Sequence, residues 1–206
     1  MANSSDMSPR EFTALLANVR ACTLCAPFLP HGPRPVLQMH RAARILIVGQ
    51  APGSKVHKTG VPFDDQSGDR LRDWLGVDSA TFYDEKRIAL LPMGFCYPGT
   101  GKSGDLPPRP ECAATWREQL LAQLPNIELT IIIGQYAQAW HLDGRGGKAM
   151  AKANLTETVA AWREYWPTML PLPHPSPRNN IWLKRNDWFA SDVLPSLRKR
   201  VAVLLR

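Results

Sequence analysis

The sequence predicts an α/β fold built around a mostly parallel sheet. The runs RILIVGQ, RIALLPMGF and ELTIIIG are short and apolar, and each is followed in the chain by apolar residues at helical spacing. Continuous apolar runs of this length are typical of strands that are buried on both faces. Strands that alternate with helices favour parallel pairing. The weaker run TMLPLP, which leads into HPSPRNN, is the fourth candidate strand.

The predicted helices carry recognisable start signals. SPREFTALLANVRAC opens with Ser8 as the N-cap and Pro9 in the first turn. The other predicted helices are SGDRLRDWLGV, PECAATWREQLLAQL with Pro110 near its start, QYAQAWHL after Gly134, LTETVAAWREYWP, and DWFASDVLPSLRKRVAVLLR with Pro195 inside it. Ligands of such folds bind outside the carboxyl ends of the strands, where GQAPG and HPSPRNN fall.

Composition predicts one soluble domain over residues 1–206. The chain is 44% hydrophobic and 21% charged, a balance that suits a single sizeable core. No apolar run reaches the ~18 residues of a membrane-spanning helix, and the polar start MANSSDMSPREF lacks a signal-peptide core. We therefore expect a cytoplasmic protein without a membrane partner. The net charge of +7 favours a polyanionic partner.

The stretch CYPGTGKSGD contains a Gly-Lys-Ser, as phosphate-binding loops do. Such a loop needs a glycine where Cys96 stands, and a helix directly after the lysine. The following GDLPPRPEC resists a helix until about Pro110, because prolines remove backbone donors. A nucleotide-binding role is therefore disfavoured.

Four cysteines follow the pattern C-x2-C-x70-C-x15-C, which comprises Cys22, Cys25, Cys96 and Cys112. Disulfides are uncommon in the cytosol, so the alternatives are a metal centre or separate reduced thiols. Four thiolates suit either a tetrahedral zinc ion or a [4Fe–4S] cluster, and ligand chemistry does not separate the two. The Pro- and Gly-rich loop at about 96–112 favours a metal centre, because such a loop gains order when both of its ends are tied.

Six segments together resemble the uracil-DNA glycosylase superfamily. They are CTLC, RILIVGQAPG, TGVPFDDQSGDRL, the loop from Cys96 to Cys112, IIIGQYAQAW and HPSPRNN, and they match in order and spacing from about Cys22 to Asn180. The likeness is greatest to the iron–sulfur branch, family 4, in which four cysteines bind a [4Fe–4S] cluster. The resemblance implies a three-layer α/β/α fold with a four-stranded sheet. It also implies a [4Fe–4S] cluster on the loop at about 96–112, with zinc as the alternative.

The resemblance further implies a role for several residues. Phe63 matches the aromatic residue on which the flipped uracil stacks, and His174 matches the donor to the developing base anion. The family's pocket floor corresponds to Gly49, Gln50, Ala51, Pro52 and Gly53. The loop that binds DNA phosphates and enters the minor groove corresponds to Ser176, Pro177, Arg178 and Asn179. Lys102 and Arg109 are further candidates for contact with DNA phosphates.

Two positions depart from the family pattern. Gln50 stands where family 4 has a glutamate, and an amide cannot act as a base. Asp64 and Asp65 are the nearest carboxylates in the sequence that could replace it. Pro92 stands near the position of an asparagine that reads the uracil edge, so base recognition must use other groups.

The predicted function is a DNA glycosylase that hydrolyses the N-glycosidic bond of uracil, or of a related deaminated base, in base-excision repair. The alternatives are a pseudo-glycosylase that binds uracil or abasic DNA without turnover, and a zinc-stabilised hydrolase of free nucleosides. We expect a monomer that acts on DNA in association with the nucleoid.

Overall fold

The computed structural model describes residues 7–102, 104–143 and 150–206. Its centre is a four-stranded parallel sheet, as the sequence predicts, and a short antiparallel hairpin lies apart from it. The strands are β1 (Ile45–Val48), β2 (Ile88–Leu90), β3 (Thr100–Gly101), β4 (Gly104–Asp105), β5 (Leu129–Ile133) and β6 (Met169–Leu172). The order in the main sheet is β2-β1-β5-β6, and β3 pairs with β4.

The strands of the main sheet are buried on both faces. Every residue of β1, β2, β5 and β6 is buried. Alternate side chains point to opposite faces, so Ile45 and Ile47 join one apolar cluster while Leu46 and Val48 join the other. This explains why the strands appear in the sequence as uninterrupted apolar runs.

Helices cover both faces, and they complete the three layers expected of the fold. The helices are α1 (Pro9–Arg20), α2 (Ser54–Thr59), α3 (Gln66–Leu75), α4 (Ser79–Phe82), α5 (Pro110–Leu121), α6 (Gly134–His141), α7 (Leu155–Ala160), α8 (Asn180–Arg185) and α9 (Leu194–Leu204). Residues of α3 and α9 pack in the cluster that contains Ile45, whereas residues of α1, α5 and α6 pack in the cluster that contains Leu46.

The ends of two helices follow the expected capping chemistry. Ser8 and Glu11 form a reciprocal capping box at the start of α1. Asp65 caps α3, because its carboxylate accepts a hydrogen bond of 2.9 Å from the Gly68 N–H. Gly76 ends α3 in the left-handed conformation, with a φ of 68°.

The structure corrects three sequence expectations about secondary structure. The C-terminal segment is not one helix, because a π-helix over Phe189–Val193 precedes α9 and Pro195 lies in the first turn of α9. A proline has no N–H to donate, and the first turn of a helix needs none. The helix predicted through LTETVAAWREYWP ends at Ala160, and a short 3₁₀ turn follows it. The loop between Cys96 and Cys112 contains the β3–β4 hairpin rather than only irregular chain.

The strand order places a ligand crevice above the middle of the sheet. The chain adds β2 on one side of β1 and then β5 on the other, so the loops after β1 and β5 leave in opposite directions. In the part of the chain that the structure describes, no helix combines the length and apolar character needed to cross a bilayer.

Candidate active site

A cavity of about 470 Å³ lies at the carboxyl ends of the parallel strands. Eleven of the fourteen predicted catalytic, base-binding and DNA-binding residues line it, namely Gly49, Gln50, Ala51, Pro52, Gly53, Phe63, Asp65, His174, Ser176, Arg178 and Asn179. Asp64, Pro177 and Lys102 do not line it. The motifs that follow β1 and β6 therefore converge on one site, although more than 120 residues separate them in the sequence.

Phe63 is held over the pocket floor in a strained backbone conformation. It has a φ of 55°, in the left-handed region that residues other than glycine rarely adopt. The tip of its ring lies 3.7 Å from the point where a side chain on Gly49 would begin. Its carbonyl oxygen occupies the space beside Gly68, where an added Cβ would lie only 1.7 Å away. The glycine at position 68 thus allows the loop to present the aromatic ring to the pocket.

His174 follows β6, and its ring orientation is set by its own loop. The Ser176 N–H donates a hydrogen bond of 3.2 Å to His174 Nδ1, and the Asn179 side chain donates one of 2.7 Å to the His174 carbonyl. A neutral imidazole that accepts at Nδ1 carries its proton on Nε2. Burial lowers the pKa of His174 below its ordinary value, while the Asp65 and Asp105 carboxylates oppose that shift. The neutral ring therefore supplies an Nε2–H donor to the cavity that it lines.

Neighbouring helices hold this loop in place. Arg70 of α3 donates a hydrogen bond of 3.2 Å to the Ser176 carbonyl. Gln138 of α6 is buried and donates a hydrogen bond of 3.2 Å to the Leu172 carbonyl, two residues before His174. Both contacts restrict the position of the imidazole relative to the sheet.

Two carboxylates, of Asp65 and Asp105, line the pocket together with the Gln50 and Asn179 amides. Asp65 uses one carboxylate oxygen to cap α3, so the other is available to a ligand. Gln50 donates a hydrogen bond of 2.9 Å from its side-chain nitrogen to the Leu106 carbonyl. Asp105, at the end of β4, also lines the cavity, and it was not among the predicted site residues. Its only sequence signal is its position in a loop bounded by two cysteines.

The wall at Pro92 offers no polar side chain to a ligand. Pro92 lines the cavity, and its carbonyl accepts a hydrogen bond of 3.1 Å from Arg117. Arg117 is 1% exposed and also donates to the Leu91 carbonyl, and burial lowers its pKa to about 10. The segment Leu91–Pro92 is therefore held from below by a buried cation.

A second, smaller cavity lies between the loop at about 96–112 and the N-terminal segment. All four cysteines line it. Cys22, Cys25, Cys96 and Cys112 surround a space of about 20 Å³. Two N–H groups donate to thiol sulfurs: the Trp116 indole to Cys22 at 3.3 Å and the Phe95 backbone to Cys112 at 3.4 Å. In the described part of the chain, no group of three or more His, Cys, Asp or Glu residues has the spacing to hold a metal ion.

Burial raises the pKa of Cys25, Cys96 and Cys112 and so makes these three thiols poor acids. It raises the pKa of Cys96 to about 11 and that of Cys112 to about 12. A metal centre must therefore supply the positive charge that keeps the thiolates ionised.

The two predicted phosphate contacts lie in different surroundings. Lys102 is exposed near the tip of the β3–β4 hairpin. Arg109 instead lies at the cysteine cavity, where it pairs with Glu111 and its guanidinium carbon lies 4.2 Å from the centre of the Phe28 ring. The charge of Arg109 is paired with Glu111 there, and contact of Arg109 with a DNA phosphate stays a prediction.

Comparisons with known proteins agree with this geometry. The family model described as "Uracil DNA glycosylase superfamily" matches residues 38–198. A curated relative, the type-4 uracil-DNA glycosylase of Thermotoga maritima, is 28% identical over 129 residues. That match covers 62% of this chain and 64% of the relative, which is less than two thirds of either. Because the family model matches well over half of the chain, the chain belongs to the uracil DNA glycosylase superfamily.

Proposed function

We propose that the protein is a DNA glycosylase that hydrolyses the N-glycosidic bond of uracil, or of a related deaminated base, in the first step of base-excision repair. The observation that carries the proposal is the pairing of Phe63 and His174 across one cavity at the strand ends. An aromatic face and a fixed N–H donor are the two groups that a flipped pyrimidine and its departing anion require.

The reaction begins when the target nucleotide leaves the base stack. Extrusion costs a few kcal/mol, which contacts in the pocket and to the DNA backbone offset. The base stacks on Phe63, above the floor formed by Gly49 and its neighbours. As the bond between C1′ and the base breaks, negative charge develops on the base oxygen, and His174 Nε2–H stabilises that charge.

Water must then reach C1′. Gln50 retains its side-chain oxygen as an acceptor and can orient a water molecule, but it cannot take the proton. Asp65 has one carboxylate oxygen that does not cap α3 and can accept a proton. Asp64 does not line the cavity, so we assign it no chemical step.

The DNA partner is supported by charge and by the rim of the pocket. The chain has 25 Lys and Arg residues against 18 Asp and Glu residues. Arg178 is exposed on the rim, with Ser176 and Asn179 beside it, and Pro177 begins the short turn between them. Lys102 extends the basic surface along the hairpin. Affinity for DNA should therefore decrease with salt, as phosphate contacts require, and such a partner would keep the protein at the nucleoid.

The donor chemistry of the cysteine cavity fits a [4Fe–4S] cluster, which Cys22, Cys25, Cys96 and Cys112 would hold. Zinc is the alternative, and one zinc ion would need all four sulfurs ~2.3 Å from a single point. A cluster binds each thiolate at a different iron and is stabilised by N–H donors to sulfur, such as those of Trp116 and Phe95. When bound, the cluster would tie the hairpin loop to the N-terminal segment.

The proposal is tested with a duplex that contains one uracil, treated with alkali after incubation under single-turnover conditions. We expect cleavage by the wild type and a loss of ~10²–10³-fold in rate for His174→Ala, as for removal of one oxyanion donor. His40→Ala is the matched control, because His40 also accepts a backbone N–H at Nδ1 but lies outside the cavity lining. Equal rates for wild type and His174→Ala would contradict the assignment.

The replacements at positions 50 and 92 support a second candidate, a protein that binds uracil or abasic DNA without turnover. In that case the same duplex would be bound but would show no alkali-labile site. Cleavage of free deoxyuridine in preference to DNA would instead support a nucleoside hydrolase.

A further inference from the structure

The β3–β4 hairpin extends from the cysteine-bounded loop to the mouth of the active-site cavity. Gly104 and Asp105, its last two residues, line the cavity together with His174. The Arg178 guanidinium packs against the Gly104 backbone, where an added Cβ would lie 2.5 Å from Arg178 Nη1. The hairpin thus forms part of the wall of the cavity, although the sequence motif that contains it is interpreted above through its cysteines.

The Asp105 carboxylate faces the GQAPG segment, Gly49–Gly53. One of its oxygens lies 3.6 Å from the position that a Cβ on Gly53 would occupy. The side chain is exposed at the pocket rim and makes no hydrogen bond or ion pair with the residues that the structure describes. Its charge also acts on His174, whose pKa it raises against the effect of burial. Both carboxylate oxygens are therefore available to a water molecule.

The amide at position 50 complements this carboxylate. Gln50 donates to the Leu106 carbonyl, and Leu106 directly follows Asp105. A glutamate at position 50 would place a charged oxygen against that carbonyl, and this contact would be repulsive. A glutamine holds the hairpin in place instead. The glutamine at position 50 therefore suits an active site whose carboxylate comes from another part of the chain.

We propose that Asp105 is the catalytic carboxylate of this protein. It takes the place of the glutamate that family 4 has where Gln50 stands here. This inference rests on the proposed glycosylase function. The Asp105 carboxylate orients a water molecule and stabilises the positive charge on the sugar. The C1′–N bond breaks and its electron pair stays with the base, the water oxygen bonds to C1′, and the water proton passes to Asp105 and then to solvent. The base anion, stabilised by His174, is protonated by solvent.

Asp65 is the competing carboxylate, and its surroundings favour a different role. One of its oxygens is committed to the Gly68 N–H, and it directly follows the loop that places Phe63. Asp65 is thus required to position the stacking ring, and an asparagine can still provide the cap. Asp105 has no comparable structural contact among the described residues.

The test compares asparagine variants in single-turnover cleavage of the uracil duplex. We expect Asp105→Asn to lower the rate ~100-fold or more, which is the range for loss of a general base, and Asp65→Asn to lower it less than ~10-fold. Asp73→Asn is the matched control, since this side chain is 75% exposed and lies outside the cavity lining. Affinity for a duplex with 2′-fluoro-2′-deoxyuridine, which resists cleavage, should stay within about threefold of wild type for Asp105→Asn.

A second readout separates chemistry from structure. With Asp105→Ala, added formate should restore part of the lost rate, because a small carboxylate can enter the space left by the side chain. A merely structural role would not respond to formate. An Asp105→Asn rate equal to wild type, or a larger loss for Asp65→Asn, overturns the assignment of Asp105 alone. Absence of cleavage by the wild type overturns the proposed function and this inference together.

Discussion

Gly68→Ala should disable the site from a position that makes no contact with substrate. An added Cβ at residue 68 would lie 1.7 Å from the Phe63 oxygen, 2.7 Å from its carbonyl carbon and 2.9 Å from its Cβ. Non-bonded heavy atoms need about 3.5 Å, so the Phe63 peptide must retreat by roughly 1.8 Å. The ring would move with it, away from Gly49.

The size of the effect follows from the geometry. Overpacking against backbone costs about 3 kcal/mol, and replacing a helical glycine with alanine returns about 1 kcal/mol. The free energy of unfolding should therefore fall by about 2 kcal/mol, which lowers Tm by about 4–8 °C for a chain of this length. Displacement of the stacking ring by more than 1 Å should lower the single-turnover rate by ~10²-fold.

Gly76→Ala is the matched control on the same helix. Gly76 has a φ of 68°, so alanine there costs about 1–2 kcal/mol in backbone strain. The neighbouring atom, Cγ of Arg198 at 3.3 Å, belongs to a flexible side chain. Both variants should thus melt earlier than the wild type, but only Gly68→Ala should lose activity, as measured by calorimetry and alkaline cleavage. A Gly68→Ala rate within about threefold of the Gly76→Ala rate would refute the role assigned to Phe63.

Two further predictions follow from the His174 and cysteine environments. Burial lowers the pKa of His174 below 6.5. The Arg178 charge lowers it further, and the Asp65 and Asp105 carboxylates partly oppose the shift. The folded protein therefore binds this proton less readily than the unfolded chain does. The free energy of unfolding should therefore decrease as pH falls below about 6.5, and His174→Gln should remove that part of the stability change in pH-dependent denaturation; an unaltered profile would contradict this. We expect anaerobically purified wild type to contain about four iron atoms per chain. Cys96→Ser should remove this iron, abolish the visible absorption and lower Tm. Trp116→Phe should retain iron but lower the reduction potential, because the N–H donor to sulfur is lost; iron retained in Cys96→Ser would exclude the proposed ligand set.

The sequence alone determined the parallel sheet, the order of its motifs and most of the pocket lining. β1 and β5 are identifiable because burial on both faces makes their residues uniformly apolar, which is a local property. GQAPG and HPSPRNN were placed together by a general rule, because the carboxyl ends of parallel strands meet at one edge. Capping at Asp65 is also local, since its partner is three residues away.

Only the tertiary structure decided which groups serve the site, because their contacts join distant parts of the chain. The Gln50 amide meets a carbonyl 56 residues away, and no local pattern encodes that pairing. Arg117 is an ordinary helical residue in the sequence, yet it is buried beneath the pocket wall. Arg109 pairs with Glu111 at the cysteine cavity, a contact that the sequence does not announce. Asp105 reaches the active site because the hairpin that carries it folds back over Gly53, which depends on long-range packing and not on residue type.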